Sequence, residues 1–207
     1  MVNDVSKENP RKEQILNASL QIIVQKGYDN SRMDDIVQKS KLSKGAIYWY
    51  FKSKKVVFLS LVDYWVNRYS AVLNHIVEED KTASQQLRDL FDYFISEYEK
   101  NPTVFKAMVE FWSLAGRDQE FKDKLQEVYA KFLARIIGIV TFGVETGEFK
   151  DLNIRLTAMS IMVNIEGIMW FTLFDPHGVT AREYIETITD FILAGLIKKS
   201  HRGEKHE

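Results

Sequence analysis

Between Leu42 and Lys55 the chain reads Leu-Ser-Lys-Gly-Ala-Ile-Tyr-Trp-Tyr-Phe-Lys-Ser-Lys-Lys, joining ammonium and hydroxyl donors to an apolar back. From Val37 to Val56 there are six lysines (39, 41, 44, 52, 54, 55) and no Asp or Glu. The chemistry of such a segment is capture of a polyanion. Ser43 is placed to cap a short helix by accepting a hydrogen bond from a backbone N–H two or three residues on. Gly45, without a side chain, allows close approach to another surface. Ile47 and Phe51 share one helical face, while Tyr48 and Tyr50 send hydroxyls elsewhere. A helix of this kind suits a major groove flanked by phosphates. The candidate DNA contacts are Arg32, Met33, Ser43, Lys44, Gly45, Ala46, Tyr48, Trp49, Tyr50, Lys54 and Lys55. Lys44, Tyr48 and Lys54 are expected to form one outward surface. Lys54 opens the next helix, whose N-terminal N–H groups already favour an anion. Trp49 either packs or faces DNA.

A second constellation lies in the middle of the chain, where aromatic and Met residues recur at helical spacing. Such stripes also make ordinary core, but a ligand pocket needs apolar walls with a few convergent polar groups. The candidate ligand-binding residues are Phe105, Met108, Phe111, Trp112, Tyr129, Phe132, Met162, Glu166 and Trp170. Glu110, Asn164 and Glu166 are polar residues inside apolar runs. Burying a carboxylate without a partner is expensive, so each glutamate meets a cation, lines a wet cavity or reaches the surface. A pocket containing Glu166 favours a cationic or hydroxylated ligand; without it a plain lipophile fits equally well.

Other chemistry is not written into the chain. The four histidines (75, 177, 201, 206) are too scattered for a metal site, and there is no cysteine. No catalytic constellation or phosphate loop occurs, so neither an enzyme nor a cofactor is expected. The absence of cysteine fits a reducing cytosol. The N-terminus is polar and lacks an apolar signal region. The most apolar window, Met159 to Phe174, is interrupted by Asn164, Glu166 and Gly167 and is too short and polar to span a bilayer. A cytoplasmic protein without a membrane partner follows.

The elements that position these groups are helices. Apolar residues recur at helical intervals throughout, and sustained strand-type alternation is absent. The expected class is all-α with about nine helices, three short ones in front. The first runs from Pro10 to Lys26 and ends on Gly27 as a C-cap; a second opens on a capping box at Ser31–Asp34; the third is the basic helix. Ser53 caps a long fourth helix to about Val77, and Glu78-Glu79-Asp80 marks a loop. Later starts are expected at Thr82, Asn101-Pro102, Asp118, Asp151 and Thr180, with Asp175-Pro176-His177-Gly178 a turn. Three residues, Ser40-Lys41-Leu42, separate the second and third helices, the length of a helix-turn-helix. Charge is divided to match: residues 1–55 hold 11 Lys/Arg and 6 Asp/Glu, the remainder 17 and 23, for a net of +5 ahead of −6. A basic module in front of an acidic body favours a polyanionic partner for the front. The expected organisation is a DNA-binding domain at 1–52, a ligand-binding and dimerisation domain at 53–200 with 53–77 as connector, and a frayed tail at 201–207.

The front module resembles the tetracycline-repressor (TetR/AcrR) family of bacterial one-component regulators. The resemblance rests on Ile15-Leu16-Asn17-Ala18-Ser19, Gly27-Tyr28, Ser31-Arg32, Ile36-Val37, Lys41-Leu42-Ser43-Lys44-Gly45 and Tyr48-Trp49-Tyr50-Phe51-Lys52-Ser53-Lys54. Lys41 stands where the family has a turn glycine, so the turn either takes a slightly different conformation or holds a non-glycine residue in the left-handed region at some cost. Arg32 stands in place of a threonine. The resemblance implies a homodimer whose two third helices enter successive major grooves of a pseudo-palindromic operator. It also implies a C-terminal domain that binds a small lipophilic or cationic effector and releases DNA, so that the protein is a repressor. Dimerisation through the last two helices is then carried by Ile154, Ala158, Ile161, Ile165, Tyr184, Ile188, Phe191 and Gly195. The competing readings are an all-α carrier whose front helices are only structural, a helical enzyme using Glu110 or Glu166 as base, and an activator on the same fold.

Overall fold

The computed structural model describes residues 10–76, 80–174 and 178–198, with side chains described outside 67–76. Among them the chain is all-α, in the order α1 (Pro10–Asn30), α2 (Met33–Ser40), α3 (Lys44–Tyr50), α4 (Lys54–Ile76), α5 (Ala83–Lys100), α6 (Pro102–Ala115), α7 (Gln119–Glu145), α8 (Ile154–Glu166), a 3-10 turn (Gly167–Met169), α9 (Trp170–Leu173) and α10 (Ala181–Leu196). Counting 154–173 as one interrupted helix returns the nine expected. The loop at 78–79, the turn at 175–177, the tail at 201–207 and all four histidine side chains lie outside the described residues.

Local capping chemistry explains most boundaries. Ser43 Oγ accepts from Ala46 N at 3.2 Å, Ser53 Oγ from Val56 N at 3.3 Å, and Thr180 and Glu183 form a reciprocal capping box. Two starts differ from expectation. The cap of α2 is Arg32, whose N–H donates to Asp35 Oδ2 at 2.8 Å, while Ser31 is buried and donates its hydroxyl to Tyr28 O at 2.7 Å. The box therefore lies one residue later, because Ser31 has a stronger use holding the α1–α2 turn. α8 is capped by Asn153, which accepts from Leu156 N at 3.0 Å, not by Asp151.

Packing produces two compact units, and α4 and α7 continue from one into the other. The first holds the described residues of Met1–Val72 with Asn101–Val128; the second holds those of Leu73–Lys100 and Tyr129–Glu207. Packing thus joins α6 and the start of α7 to the front helices, whereas the sequence division at 52/53 follows the end of the motif. α6 lies against α1, burying Val104, Phe105, Ala107 and Phe111. Ile15, Ile36, Ile47, Phe51, Val57 and Leu61 form the core of this unit, and Leu42 is half-buried. In the second unit α10 packs on α5 and α8, and Phe149 fits under Gly143 on α7, where any Cβ would stand 2.2 Å from the ring. The stretch Ile154–Leu173 is long and apolar enough to be a candidate membrane span. It breaks at Gly167, immediately after Glu166.

The helix-turn-helix carries one strained residue. Lys41 closes α2 at φ 59°, ψ 22°, so of the two alternatives at this position it takes the left-handed one. An L-residue there is disfavoured by roughly 1–2 kcal/mol, part of which a glycine returns as unfolded-state entropy. Lys41→Gly should raise stability by about 0.5–1 kcal/mol in urea denaturation. A loss of stability would mean that the Lys41 side chain makes a compensating contact.

Candidate functional site

The third helix presents its donors to solvent. Ile47 is buried beneath it, whereas Ser43, Lys44, Gly45, Tyr48 and Trp49 are exposed, Trp49 by 72%. A Cβ on Gly45 would meet nothing within 4 Å, so the close approach this glycine permits is to something outside the chain. Ala46 and Tyr50 are half-buried, and the Tyr50 ring meets the Trp49 indole edge-on at 4.6 Å. Arg32 is exposed at the start of α2, with Met33 half-buried beside it. The Trp49 indole therefore does not pack into the core.

Two of the expected contacts point elsewhere. The Lys54 ammonium, expected on the outward surface with Lys44 and Tyr48, turns back into the protein. It donates to Tyr28 O at 2.6 Å, Ser31 O at 2.9 Å and Asp29 O at 3.4 Å, and stands 4.3 Å from the centre of the Tyr28 ring. Burial pulls its pKa below the usual lysine range. Lys55 pairs with Asp118 at 2.8 Å and Glu120 at 2.6 Å, and these carboxylates hold its pKa above the ordinary value. The physical reason is the same for both: carbonyls and carboxylates from distant segments complete their donor geometry before any external anion does. Of the expected contacts, Arg32, Lys44 and Tyr48 remain exposed, Lys44 with its ammonium 2.8 Å from Asp34 Oδ1.

Around Tyr28 the front helices are tied to α6 and α7. α1 breaks at Gly27, whose φ of 70° and ψ of 172° differ from the left-handed cap expected. The Tyr28 N–H then donates to Glu110 Oε1 on α6 at 2.8 Å. The Tyr28 ring packs edge-on against Phe58 at 5.5 Å and Phe121 at 5.4 Å, and Arg117 pairs with Asp29 at 2.6 Å. Glu110 is thus a structural carboxylate satisfied by a backbone amide. The sequence contained its signal, a glutamate inside an apolar run and a Gly-Tyr pair, but nothing that joined positions 82 residues apart.

The nine expected ligand residues divide between the two units. On α6, Phe105 and Phe111 are buried, with Phe111 stacked on Phe121 at 6.0 Å, and Met108 and Trp112 are half-buried. In the second unit Tyr129 and Phe132 are half-buried, Phe132 lying 5.1 Å from Phe94, and Met162 is buried. Trp170 is 58% exposed and stacks on Phe174 at 4.3 Å, so it does not line an interior. It follows Val163 by seven residues, on the face already exposed at Leu156, Met159 and Val163. Asn164 donates to Ser160 O on its own helix at 2.8 Å, an ordinary helical contact. Glu166 is different. Its Oε1 is enclosed without a hydrogen-bond partner among the described residues, and desolvation pushes its pKa up to about 7.

The expected dimer face is half corrected. On α10, Phe191 is 75% exposed, Gly195 is exposed, and Tyr184 and Ile188 are half-buried, an accessible face. On α8, Ala158, Ile161 and Ile165 are buried within their own chain and Ile154 is half-buried. The accessible apolar residues of α8 are Leu156, Met159 and Val163 on the opposite side.

The fold has counterparts in known proteins. Residues 15–61 match the family described as "Bacterial regulatory proteins, tetR family", and residues 83–196 match "BetI-type transcriptional repressor, C-terminal". The chain is 26% identical over 196 residues to the fatty acid metabolism regulator protein of Bacillus subtilis (strain 168), covering 94% of this chain and 100% of that relative. It is similar to the structure of FadR from Bacillus subtilis in complex with stearoyl-CoA, with a TM-score of 0.78, 22% identity, and coverage of 88% of this chain and 98% of that one. A putative transcriptional regulator from Saccharomonospora viridis in complex with choline matches with a TM-score of 0.83 at 19% identity, covering 93% and 100%.

Proposed function

This chain belongs to the tetR family of bacterial regulatory proteins, and from that premise we propose which of its residues bind DNA, effector and a second copy. It is a homodimeric DNA-binding repressor that responds to a small effector. The reading of DNA is assigned to α3, with Ser43, Lys44, Gly45, Tyr48 and Trp49 entering the major groove and Arg32 meeting phosphate. The observation that carries this is the outward edge of α3, where Gly45 opens on empty space beside Lys44, Tyr48 and Trp49. Backbone N–H groups at the start of α4 hold a further phosphate. Such a regulator works in the cytoplasm, where the chromosome is. An all-α carrier gives no account of an exposed donor set on a short helix.

The test is a salt-titrated binding assay on an operator selected from a random pool. Lys44→Ala with Tyr48→Phe should weaken binding by about tenfold or more and flatten the dependence on ionic strength. Unchanged affinity would remove α3 from the groove.

The effector belongs to the C-terminal part of the chain, with Met162, Phe132, Tyr129 and Glu166 of the second unit as its contacts. The unpartnered Glu166 oxygen favours an apolar body that carries a cationic or hydrogen-bond-donating group, as in the choline bound by one structural neighbour, over a plain acyl chain. Effector need only bind the non-operator geometry preferentially, since each factor of about ten in differential affinity is about 1.4 kcal/mol of bias. The dimer is assigned to Phe191, Gly195, Ile188 and Tyr184 of α10 with Leu156, Met159 and Val163 of α8, in an intersubunit bundle.

A further inference from the structure

The tip of the helix-turn-helix contains an acid in an unexpected place. Asp34, in the first turn of α2, is 71% exposed at its side chain, and its Oδ1 lies 2.8 Å from Nζ of Lys44, itself 61% exposed, at the first position of α3. Asp34 is not needed to cap α2, because Asp35 accepts from the Arg32 N–H and pairs with Lys26 at 2.6 Å. A surface that faces phosphates gains nothing from a carboxylate, and the sequence between Val37 and Val56 has none. The acid instead reaches α3 from the neighbouring helix and engages the foremost cation of the recognition helix.

We propose that Asp34 is a selectivity residue: it holds the Lys44 ammonium in an intramolecular ion pair that phosphates of non-operator DNA must break before they can claim the charge. The proposal rests on the assignment of α3 to the groove. Non-specific binding is almost entirely a count of phosphates neutralised, whereas operator binding adds base contacts. An acid that occupies one cation therefore taxes the non-specific complex in full. On an operator, contacts from Ser43, Tyr48 and Trp49 hold the head in place while Lys44 is redirected or reads a base with its partner still beside it. An exposed pair is weak enough to open, and its strength is comparable to one phosphate contact, which sets the right scale for discrimination rather than for blockade.

The experiment uses the full chain and two probes, short duplexes of random sequence and an operator selected by the wild-type protein from a random pool. Asp34→Asn should raise affinity for random duplex by about tenfold in low salt, counting two heads, and steepen the salt dependence by about one per head. Operator affinity should change less, so the ratio of operator to random binding falls. In a Lys44→Met background the same Asp34→Asn change should give no gain. Unchanged random-duplex affinity and slope, or an equal gain without Lys44, would overturn the proposal. A wild-type protein that binds no duplex would overturn the assignment of α3, and this proposal with it. Both side chains are exposed, so the variants retain the fold, and circular dichroism checks that.

Discussion

Gly27→Ala should lower the stability of the first unit by about 3 kcal/mol, the sum of a backbone conformation almost confined to glycine and the loss of a charge-assisted hydrogen bond. At φ 70° and ψ 172° the residue lies outside the left-handed helical well, so an L side chain is strained whatever space it finds. Space is also short: the added Cβ would stand 3.1 Å from Glu110 Oε1, the oxygen that accepts the Tyr28 N–H. Relief of that contact pulls Glu110 away from Tyr28 and loosens the turn that leads into α2. Asn, which tolerates the conformation of Lys41, should not rescue position 27, because ψ there is extended. Chemical denaturation measures the loss, and operator affinity should fall with it. A change below about 0.5 kcal/mol, the level of an ordinary surface substitution, would show that the α1–α2 turn adopts another conformation in solution.

The second large effect is at Glu166. Its carboxyl titrates at about 7 in the folded protein, against 4.5 ordinarily, because burial disfavours the charge. Below pH 4.5 it is protonated in both states and costs nothing. Between 4.5 and 7 the folded state holds more protons than the unfolded one, so stability falls as pH rises, and above 7 the penalty is complete. The shift is worth about 1.4 kcal/mol per unit, and solvent reaching the half-buried side chain reduces the total to about 2 kcal/mol. Glu166→Met should therefore be about 2 kcal/mol more stable than wild type at pH 8, roughly 5 °C in melting temperature, and equal to it near pH 4.5. Other titrating groups cancel in the difference. Choline should bind wild type more tightly as pH rises through 7, since its charge needs the carboxylate, and that dependence should vanish in the variant. Parallel pH–stability curves would remove the buried charge and its link to a cationic effector. A protein that retains such a group gives up stability where a ligand can return it.

The organisation of the front was legible because it is local. Caps at Ser43 and Ser53 and the break at Gly27 follow from interactions within a turn of the chain, which residue type and spacing specify, as does the cap of the last helix at Thr180. The identity of α3 as an exposed donor helix over a buried Ile47 was equally readable, since one face is apolar and the other is not. Lys54 was not readable in the same way. Its type and position at a helix start suit a phosphate, and the three carbonyls that occupy it come from a turn 23 to 26 residues earlier. The same distance problem hid the partner of Glu110.

By itself, then, the order of residues determined an all-α chain, most of its helix starts, a basic front module and the family to which it belongs. Tertiary structure alone decided which side of α8 faces inward. Ala158, Ile161 and Ile165 form one apolar stripe and Leu156, Met159 and Val163 another, so helical periodicity cannot choose between them. The choice is made by what α10 and the rest of the unit bring against the helix, and it also leaves Glu166 enclosed without a partner. Periodicity reports that a helix has an apolar face; burial depends on a neighbour that is distant in sequence, and no local rule contains that neighbour.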